Sequence, residues 1–200
     1  MAKSRRLRQL ISRLNFLEAN ILPAERINGN YTKKEQDLIR SYVLLCHAEI
    51  EAYIEDKAKD RISKALADWV STRKRSSCLK SVLAYTGNEI DFSRDQNAIN
   101  NIEHRIQRTV GHYLNAVVDR NHGVKEKNII SMLLPLGIEY NELDQTWLGI
   151  MESFGATRGN IAHNTTQVQN QIDRNTELTR IKNQILPELE RIDELIRKLK

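Results

Sequence analysis

The stretch SYVLLCHAEIEAYIEDKA, residues 41–58, carries the clearest structural signal in this chain. Apolar residues recur there at intervals of three and four, which is the period of one face of an α-helix. The stripe consists of Leu38, Ile39, Tyr42, Val43, Cys46, Ile50, Tyr53 and Ile54. Upstream, Thr32 and Glu35 have the spacing of a capping box, which begins a helix. We therefore predict one long helix from about Thr32 to about Trp69.

The composition favours one helical domain. The chain has 200 residues, 40% of them hydrophobic, which is enough to bury one core, and no shift in composition divides it. Only 8 residues are glycine and 3 are proline, while Leu, Ile, Glu, Lys and Arg are frequent. We predict an all-α, up-and-down helical bundle of four to six helices, forming a single domain over residues 1–200.

The two ends of the chain also show helical spacing. Residues 1–20 are basic and lack an acidic residue before Glu18, as in organelle transit peptides, but their apolar residues favour a first helix of the bundle. A last helix has the apolar residues Ile181, Ile185, Leu189, Ile192, Leu195, Ile196 and Leu199. Because proline lacks an amide hydrogen, Pro187 should bend this helix.

Further helices are predicted in the middle of the chain. A short piece near residues 79–85 lies between turns, and a short helix over residues 128–134 is closed by PLGI. A helix from about Asp95 should turn inward Ile99, Ile102, Ile106, Val110, Tyr113, Leu114 and Val117. Asn141 or Asp144 should cap another helix, which presents Leu143, Trp147, Ile150, Met151 and Phe154 to the core. We expect Trp147 and Trp69 to be core residues rather than platforms for base stacking.

Charge and cysteine content limit the partners and the location. No apolar run approaches the roughly 20 residues that span a bilayer, and two distant cysteines fit a reducing compartment, so we expect a cytoplasmic protein without membrane contact. A net charge of +5 permits an RNA partner without requiring one. Among the basic clusters, Arg73, Lys74 and Arg75 are candidates for contact with RNA or with another partner.

The stretch TRGNIAHN, residues 157–164, is the candidate site. Extending the helical phase of the preceding stripe at 100° per residue places Arg158 about 20° from its centre and His163 at about 160°. The small residues Gly155, Gly159 and Ala162 lie between them and form a groove. On a straight helix two residues five apart cannot face one point, so a second copy related by a two-fold axis would have to complete the site.

Other interpretations of these residues remain open. Arg158 and His163 can be a helix-end pair, with the cations facing terminal carbonyls. Arg105 and His112, seven residues apart, are an alternative pair on one helix face. His47 lies four residues before Glu51, and a local contact between these two is favoured over a catalytic role.

At this point the residues resemble a known family. The segment LGIEYNELDQTWLGIMESF followed by RGNIAHN is similar to the HEPN superfamily, small helical bundles with an Arg-x4-6-His motif at the end of a core helix. The stretch of residues 41–58 resembles the second-helix signature of bacterial HEPN groups found with defence and toxin genes, in which Glu51 and Tyr53 match two positions. The chain is similar to the RiboL-PSP-HEPN group and to one further bacterial HEPN group.

The resemblance implies a metal-independent endoribonuclease that acts as a homodimer with a composite active site. His163 would accept the 2′-hydroxyl proton, and Arg158 would stabilise the phosphate charge, giving a 2′,3′-cyclic phosphate and a 5′-hydroxyl. Inactive relatives usually lose one of these two residues, and this chain keeps both. Many members have a polar residue directly after the arginine, whereas here Gly159 stands there and Asn160 follows one place later.

Glu51 has two interpretations. It can orient His163 or an arginine as a catalytic residue would require, or it can belong to an exposed acidic face together with Glu49, Glu55 and Asp56. The sequence holds no HxxxH, CxxC or acidic cluster with ligand spacing, and we expect no cofactor.

The biological role is expected to be that of a toxin or antiviral effector, with a possible antitoxin or regulatory protein as a partner. The alternatives are a non-catalytic HEPN-fold module that binds a protein, and a helical bundle that binds RNA without cutting it.

Overall fold

Helices make up the fold throughout the part of the chain that is described. The computed structural model describes residues 3–163, without the side chain of His163, and residues 171–199. These residues contain no β-strand, and the all-α prediction is confirmed. The α-helices are α1 (Arg5–Asn20), α2 (Lys33–Thr72), α3 (Ser77–Thr86), α4 (Gln96–Asn100), α5 (Ile102–His112), α6 (Glu126–Leu136), α7 (Gln145–His163), α8 (Arg174–Thr179) and α9 (Leu186–Lys198).

The long helix α2 begins as the sequence predicts. The backbone N–H of Glu35 donates to Oγ1 of Thr32 at 3.3 Å, and the backbone N–H of Thr32 donates to Oε2 of Glu35 at 2.8 Å. This reciprocal pair satisfies two amides that a helix start leaves without partners. The bond from Thr32 is also the main reason why the pKa of Glu35 falls to about 2.

The described chain divides into two compact units. The first comprises Met1–Tyr53, Gly123–Glu126 and Asp144–Asp193, and the second comprises Ile54–His122, Lys127–Leu143 and Glu194–Lys200. The segments of the two units alternate along the chain. The residues of α2 are divided between them, since the first unit ends at Tyr53 and the second begins at Ile54. A single domain over residues 1–200 therefore stays a prediction.

The core of the first unit follows the predicted stripes. Its buried residues include Leu7, Leu10, Leu14 and Leu17 of α1, Ile39, Tyr42, Val43, Cys46 and Ile50 of α2, and Trp147, Leu148, Met151 and Phe154 of α7. Asp193 is buried beside them and accepts hydrogen bonds from Oγ of Ser4 at 2.6 Å and from the hydroxyl of Tyr53 at 3.1 Å. These bonds satisfy a buried carboxylate that would otherwise be costly.

In the second unit, the prediction of one continuous helix from Asp95 is wrong. Two α-helices replace the single helix expected from Asp95, because the chain breaks at Asn101, whose side chain caps α5. Ile99 and Ile102, expected to be inward, are 49% and 64% exposed. After α5, a π-helical turn over Tyr113–Val118 inserts one residue into the repeat, so Val118 is buried where Val117 was expected.

A second π-helical turn, Arg180–Ile185, joins α8 to α9 just before Pro187. The N–H of Leu186 donates to the carbonyl of Ile181, five residues earlier. The bend expected at Pro187 stays a prediction, and the turn immediately before this proline is π-helical.

Candidate functional site

The candidate site lies at the end of α7, and the first turn of this helix is firmly held. Oδ1 of Asp144 accepts a hydrogen bond from the N–H of Trp147 at 2.9 Å. Of the two predicted caps, Asn141 and Asp144, it is therefore Asp144 that caps α7. The indole Nε1 of Trp147 donates to the carbonyl of Ile185 at 3.2 Å, and its side chain is buried as expected. The helix continues through Gly155 and Gly159 to His163.

Below the motif, α7 rests against α2 through an aromatic contact. The rings of Phe154 and His47 lie 5.6 Å apart between centroids, tilted by 33°. His47 is 2% exposed, and its Nδ1 lies 3.5 Å from Oε2 of Glu51, the contact that their spacing favours. Because the Glu51 side chain is 19% exposed, it is not part of a freely solvated acidic face.

The pKa of His47, a residue of α2, depends on burial and on the charge of Arg158. Burial, together with the smaller effect of the positive charge of Arg158, lowers the pKa of His47 to about 4. The imidazole is therefore neutral near pH 7. It cannot act as a general base of ordinary strength there, and it presents Arg158 with no competing positive charge.

Arg158 itself is exposed, although its helical phase lies close to the centre of the buried stripe. It follows Phe154 by one turn, where the helix passes beyond the core, and its long side chain carries the charge into solvent. Within the described ranges, no residue forms an ion pair or hydrogen bond with its guanidinium. The cation is therefore available for an external anion.

The expected groove of small residues is only partly open. A Cβ added at Gly155 would lie 2.6 Å from Cγ of Lys125, so a lysine stem already covers this glycine. Nζ of Lys125 lies 3.3 Å from Oε1 of Glu152, which holds the lysine across α7. A Cβ at Gly159 would meet nothing within 4 Å, and the open part of the groove therefore begins there.

The remaining motif residues stand at the end of α7. Asn160 is exposed. His163 is the last residue of the helix, and its side chain lies outside the described part of the chain, as do residues 164–170. The distance from Arg158 to His163 and the predicted contact of Glu51 with His163 remain predictions.

Sequence reasoning missed Lys125 and underrated His47. Lys125 reaches Gly155 across 30 positions of the chain, and no local pattern announces such a contact. His47 could have been singled out, since it stands on the apolar face of α2, one turn before Glu51.

In the basic run after α2, Arg73 already has partners of its own. Nη1 of Arg73 lies 2.6 Å from Oε2 of Glu103, and its guanidinium also stands 5.5 Å from the ring centroid of Trp69. Lys74 and Arg75 are exposed. A role of the three residues in binding RNA stays a prediction.

Arg105 and His112, the alternative pair on α5, each contact a different partner. The guanidinium of Arg105 lies over the ring of Phe92 at 4.3 Å, and Nε2 of His112 lies 3.3 Å from Oε2 of Glu89. These two residues therefore do not face each other as an acid–base pair would.

Two kinds of feature are absent from the described residues. None of the helices there is long and apolar enough to cross a membrane. The same residues contain no group of three or more His, Cys, Asp or Glu side chains arranged to hold a metal ion.

Comparisons with known proteins identify the family. The family model described as RiboL-PSP-HEPN matches residues 5–198, nearly the whole chain. Comparisons with curated protein sequences and with solved structures give no significant match. The match includes both α2 and the motif at the end of α7, on which the resemblance was based. The chain therefore belongs to the RiboL-PSP-HEPN family of the HEPN superfamily.

Proposed function

We propose that this protein is a metal-independent endoribonuclease of HEPN type. Its 2′-hydroxyl chemistry would leave a 2′,3′-cyclic phosphate and a 5′-hydroxyl, and DNA would be spared because it lacks the nucleophile. Membership in the family supports an RNase or nucleotide-related function in general. The specific reaction rests on the residues at the end of α7.

The availability of Arg158 carries the proposal. It is exposed, no described residue forms an ion pair with it, and His47, whose pKa it affects, is uncharged at neutral pH. In attack by the 2′-oxygen, negative charge builds on the non-bridging phosphate oxygens. A forked guanidinium that is always charged is well suited to stabilise that charge.

His163 takes the role of general base in this proposal. An unperturbed imidazole has a pKa near 6.5 and can accept the 2′-hydroxyl proton at neutral pH. Five residues correspond to about 140° around a helix, so one copy of α7 would not point both side chains at one phosphate. A homodimer in which two copies of α7 face each other would supply Arg158 from one protomer and His163 from its partner.

Supporting roles follow from the neighbouring residues. Asn160 is exposed one turn from the end of α7, where it can donate a hydrogen bond to the substrate backbone. Glu51 would orient the site through α2, and Arg73, Lys74 and Arg75 would contact RNA away from the cleavage point. In the cell the enzyme would act as a cytoplasmic toxin or antiviral effector, restrained by an antitoxin or another regulatory protein.

Cleavage of total RNA in EDTA tests the proposal. Arg158→Ala should lower the cleavage rate about 10²- to 10³-fold through loss of charge stabilisation, and His163→Ala about 10²- to 10⁴-fold through loss of the base. Arg105→Ala and His112→Ala are matched controls, because they remove the same residue types from α5. Circular dichroism and dimer mass should stay unchanged in all four variants.

Three results bear on the alternatives. Cleavage that survives both α7 substitutions contradicts the proposal, and cleavage lost only with the α5 substitutions moves the site to α5. If purified protein leaves varied RNAs intact but retains a protein partner, the chain is a binding module of the same fold. An RNA-binding bundle without chemistry would show steep salt dependence of binding and no change in substrate length.

A further inference from the structure

An apolar pocket opens in the second unit, lined by the end of α2 and by residues of α3 and α5. Its volume is about 220 Å³. Trp69, Leu79 and Ile106 form the buried part of its lining, and Leu83 and Ile102 complete the apolar part. Ile102 is 64% exposed. An exposed apolar side chain that continues an apolar pocket enlarges the surface that a partner can cover.

A tight reversal of the chain between α2 and α3 brings a cation to this pocket. Arg73 has a φ of 57°, which residues other than glycine rarely adopt, and its N–H donates to the carbonyl of Trp69 at 2.9 Å. Ser76, three residues later, caps α3 with its side chain. Arg75 stands between these two fixed points and lines the pocket together with Lys80 of α3.

These two cations have no described partners. Arg75 and Lys80 are exposed, and in the described ranges no residue forms an ion pair or hydrogen bond with either side chain. Arg73, in contrast, is already paired with Glu103. None of the described residues that line the pocket is acidic. The apolar pocket is therefore bordered by two positive charges that are available to the carboxylates of a partner.

Trp69 differs from the other tryptophan in its hydrogen bonding. Nε1 of Trp147 donates to the carbonyl of Ile185, whereas Nε1 of Trp69 is buried and has no acceptor within the described part of the chain. A buried donor that lacks an acceptor costs free energy. A peptide carries a carbonyl at every residue, so a bound segment whose backbone reaches the indole edge would supply the missing acceptor.

The size and the surface of the pocket decide between classes of occupant. Sites for drug-sized molecules have volumes of about 300–1,000 Å³, and this pocket is smaller. It suits a single large apolar side chain, the kind of anchor that contributes most to protein interfaces. Stacking of a nucleobase is disfavoured, because Trp69 is only 8% exposed and the guanidinium of Arg73 already lies over its ring. With a net charge of +5, a second copy of the chain complements the two cations less well than an acidic partner does.

We propose that this pocket docks an acidic segment of a partner protein. One large apolar side chain of the segment enters the apolar lining, its neighbours cover Ile102, and its carboxylates pair with Arg75 and Lys80. The docking does not involve the end of α7, and it stands whether or not the chain cleaves RNA. Arg75 is shared with the proposed RNA contact, so a docked segment would keep RNA away from it. This last consequence alone rests on the proposed function.

Binding of a designed set of labelled peptides to the full-length protein tests the proposal. Each peptide carries a central leucine, isoleucine, methionine, phenylalanine, tryptophan or serine, flanked on both sides by glutamate, by lysine or by serine. Fluorescence anisotropy measures the Kd of every peptide. The tightest glutamate-flanked peptides with an apolar centre should bind about tenfold more tightly than their counterparts with a serine centre or with lysine flanks.

Two variants change exposed lining residues and leave the core intact. Ile102→Ser should weaken binding of the glutamate-flanked peptides about tenfold, because apolar contact is lost. Lys80→Glu should weaken it about three- to tenfold and should strengthen binding of the lysine-flanked peptides. The matched controls are Ile27→Ser and Lys127→Glu, which change an exposed isoleucine and an exposed lysine outside the lining. Both controls should bind within about twofold of the natural protein.

The outcomes separate the proposed occupant from the others. If no glutamate-flanked peptide binds, if lysine flanks serve the natural protein equally well, or if Ile102→Ser binds as its control does, the proposal is wrong. A change in oligomer mass with Ile102→Ser but not with Ile27→Ser would make a second copy the occupant and would also overturn it. Weaker binding of a 2′-O-methyl oligoribonucleotide by Ile102→Ser, without any peptide binding, would assign the pocket to RNA instead. Peptide binding is measured without RNA cleavage, so failure of the RNase proposal would leave this test unaffected.

Discussion

Replacing His47 by glutamine should flatten the pH dependence of stability between pH 7.5 and pH 5. The imidazole is buried, and its pKa is about 4 in the folded protein against 6.5 as an ordinary value. Between these two values the unfolded chain binds a proton that the folded chain does not. The natural protein therefore loses stability as the pH falls below 6.5, and the loss levels off near pH 4, where the folded state is also protonated.

The size of this effect follows from the displacement of the pKa. One pKa unit corresponds to 1.36 kcal/mol, so the fall from pH 6.5 to pH 5 costs the folded state about 2 kcal/mol at this one residue. Solvent screens this contribution to the free energy of unfolding only weakly, because His47 is only 2% exposed. The Glu51 carboxylate, 3.5 Å from Nδ1, favours the charged imidazole, but burial outweighs it.

Urea denaturation at pH 7.5, 6.5, 5.5 and 5.0 measures the difference. The free energy of unfolding of the natural protein should fall about 2 kcal/mol further than that of His47→Gln over this interval. Contributions from the other histidines and from the acidic residues are common to both proteins and cancel. Arg158→Ala should reduce the slope in part, since it removes the second cause of the low pKa. Parallel profiles for the natural protein and His47→Gln would falsify the assignment of His47 as a buried neutral imidazole.

The remaining two predictions concern stability and need only thermal unfolding. Thr32→Ala should cost about 1 kcal/mol, because it removes the cap of α2, while Thr32→Asn, which keeps a capping oxygen, should stay close to the natural protein; equal effects would contradict the capping role. Gly155→Val should be destabilising because even a Cβ would come within 2.6 Å of Lys125, whereas Gly159→Ala should be neutral or stabilising by up to about 1 kcal/mol. The reverse order would contradict the close approach of Lys125.

Local signals explain why most of the fold could be predicted. The start of α2 depends on Thr32 and Glu35, two residues of one turn, and the sequence shows them directly. The buried stripes of α1, α2 and α7 follow from spacing alone because each helix there is regular over several turns. Prediction failed where that regularity ends, at the break of Asn101 and at the π-helical turn that exchanged Val117 for Val118.

The sequence predicted on which side of α7 Arg158 lies, but not whether its side chain is buried. Helical phase placed Arg158 on the side of Phe154 and thus near α2, and the charge effect on His47 agrees with that placement. Phase does not tell how far the core extends along the helix, and Arg158 proved to be exposed because it follows the last buried turn. The covering of Gly155 by Lys125 depends on tertiary packing between distant segments, which spacing along the chain cannot express.

In the proposed site, the burial of His47 and the exposure of Arg158 would together favour an anion at the end of α7. Water screens a fully solvated cation, and a cation that is already paired with a carboxylate attracts a further anion less strongly. Arg158 acts on the pKa of His47, whose neutral ring packs against Phe154 and lies 3.5 Å from the carboxylate of Glu51. By linkage, a phosphate bound at Arg158 would offset the charge that depresses the pKa of His47, and that pKa would rise. The pKa of His47 therefore reports whether a phosphate is bound at Arg158.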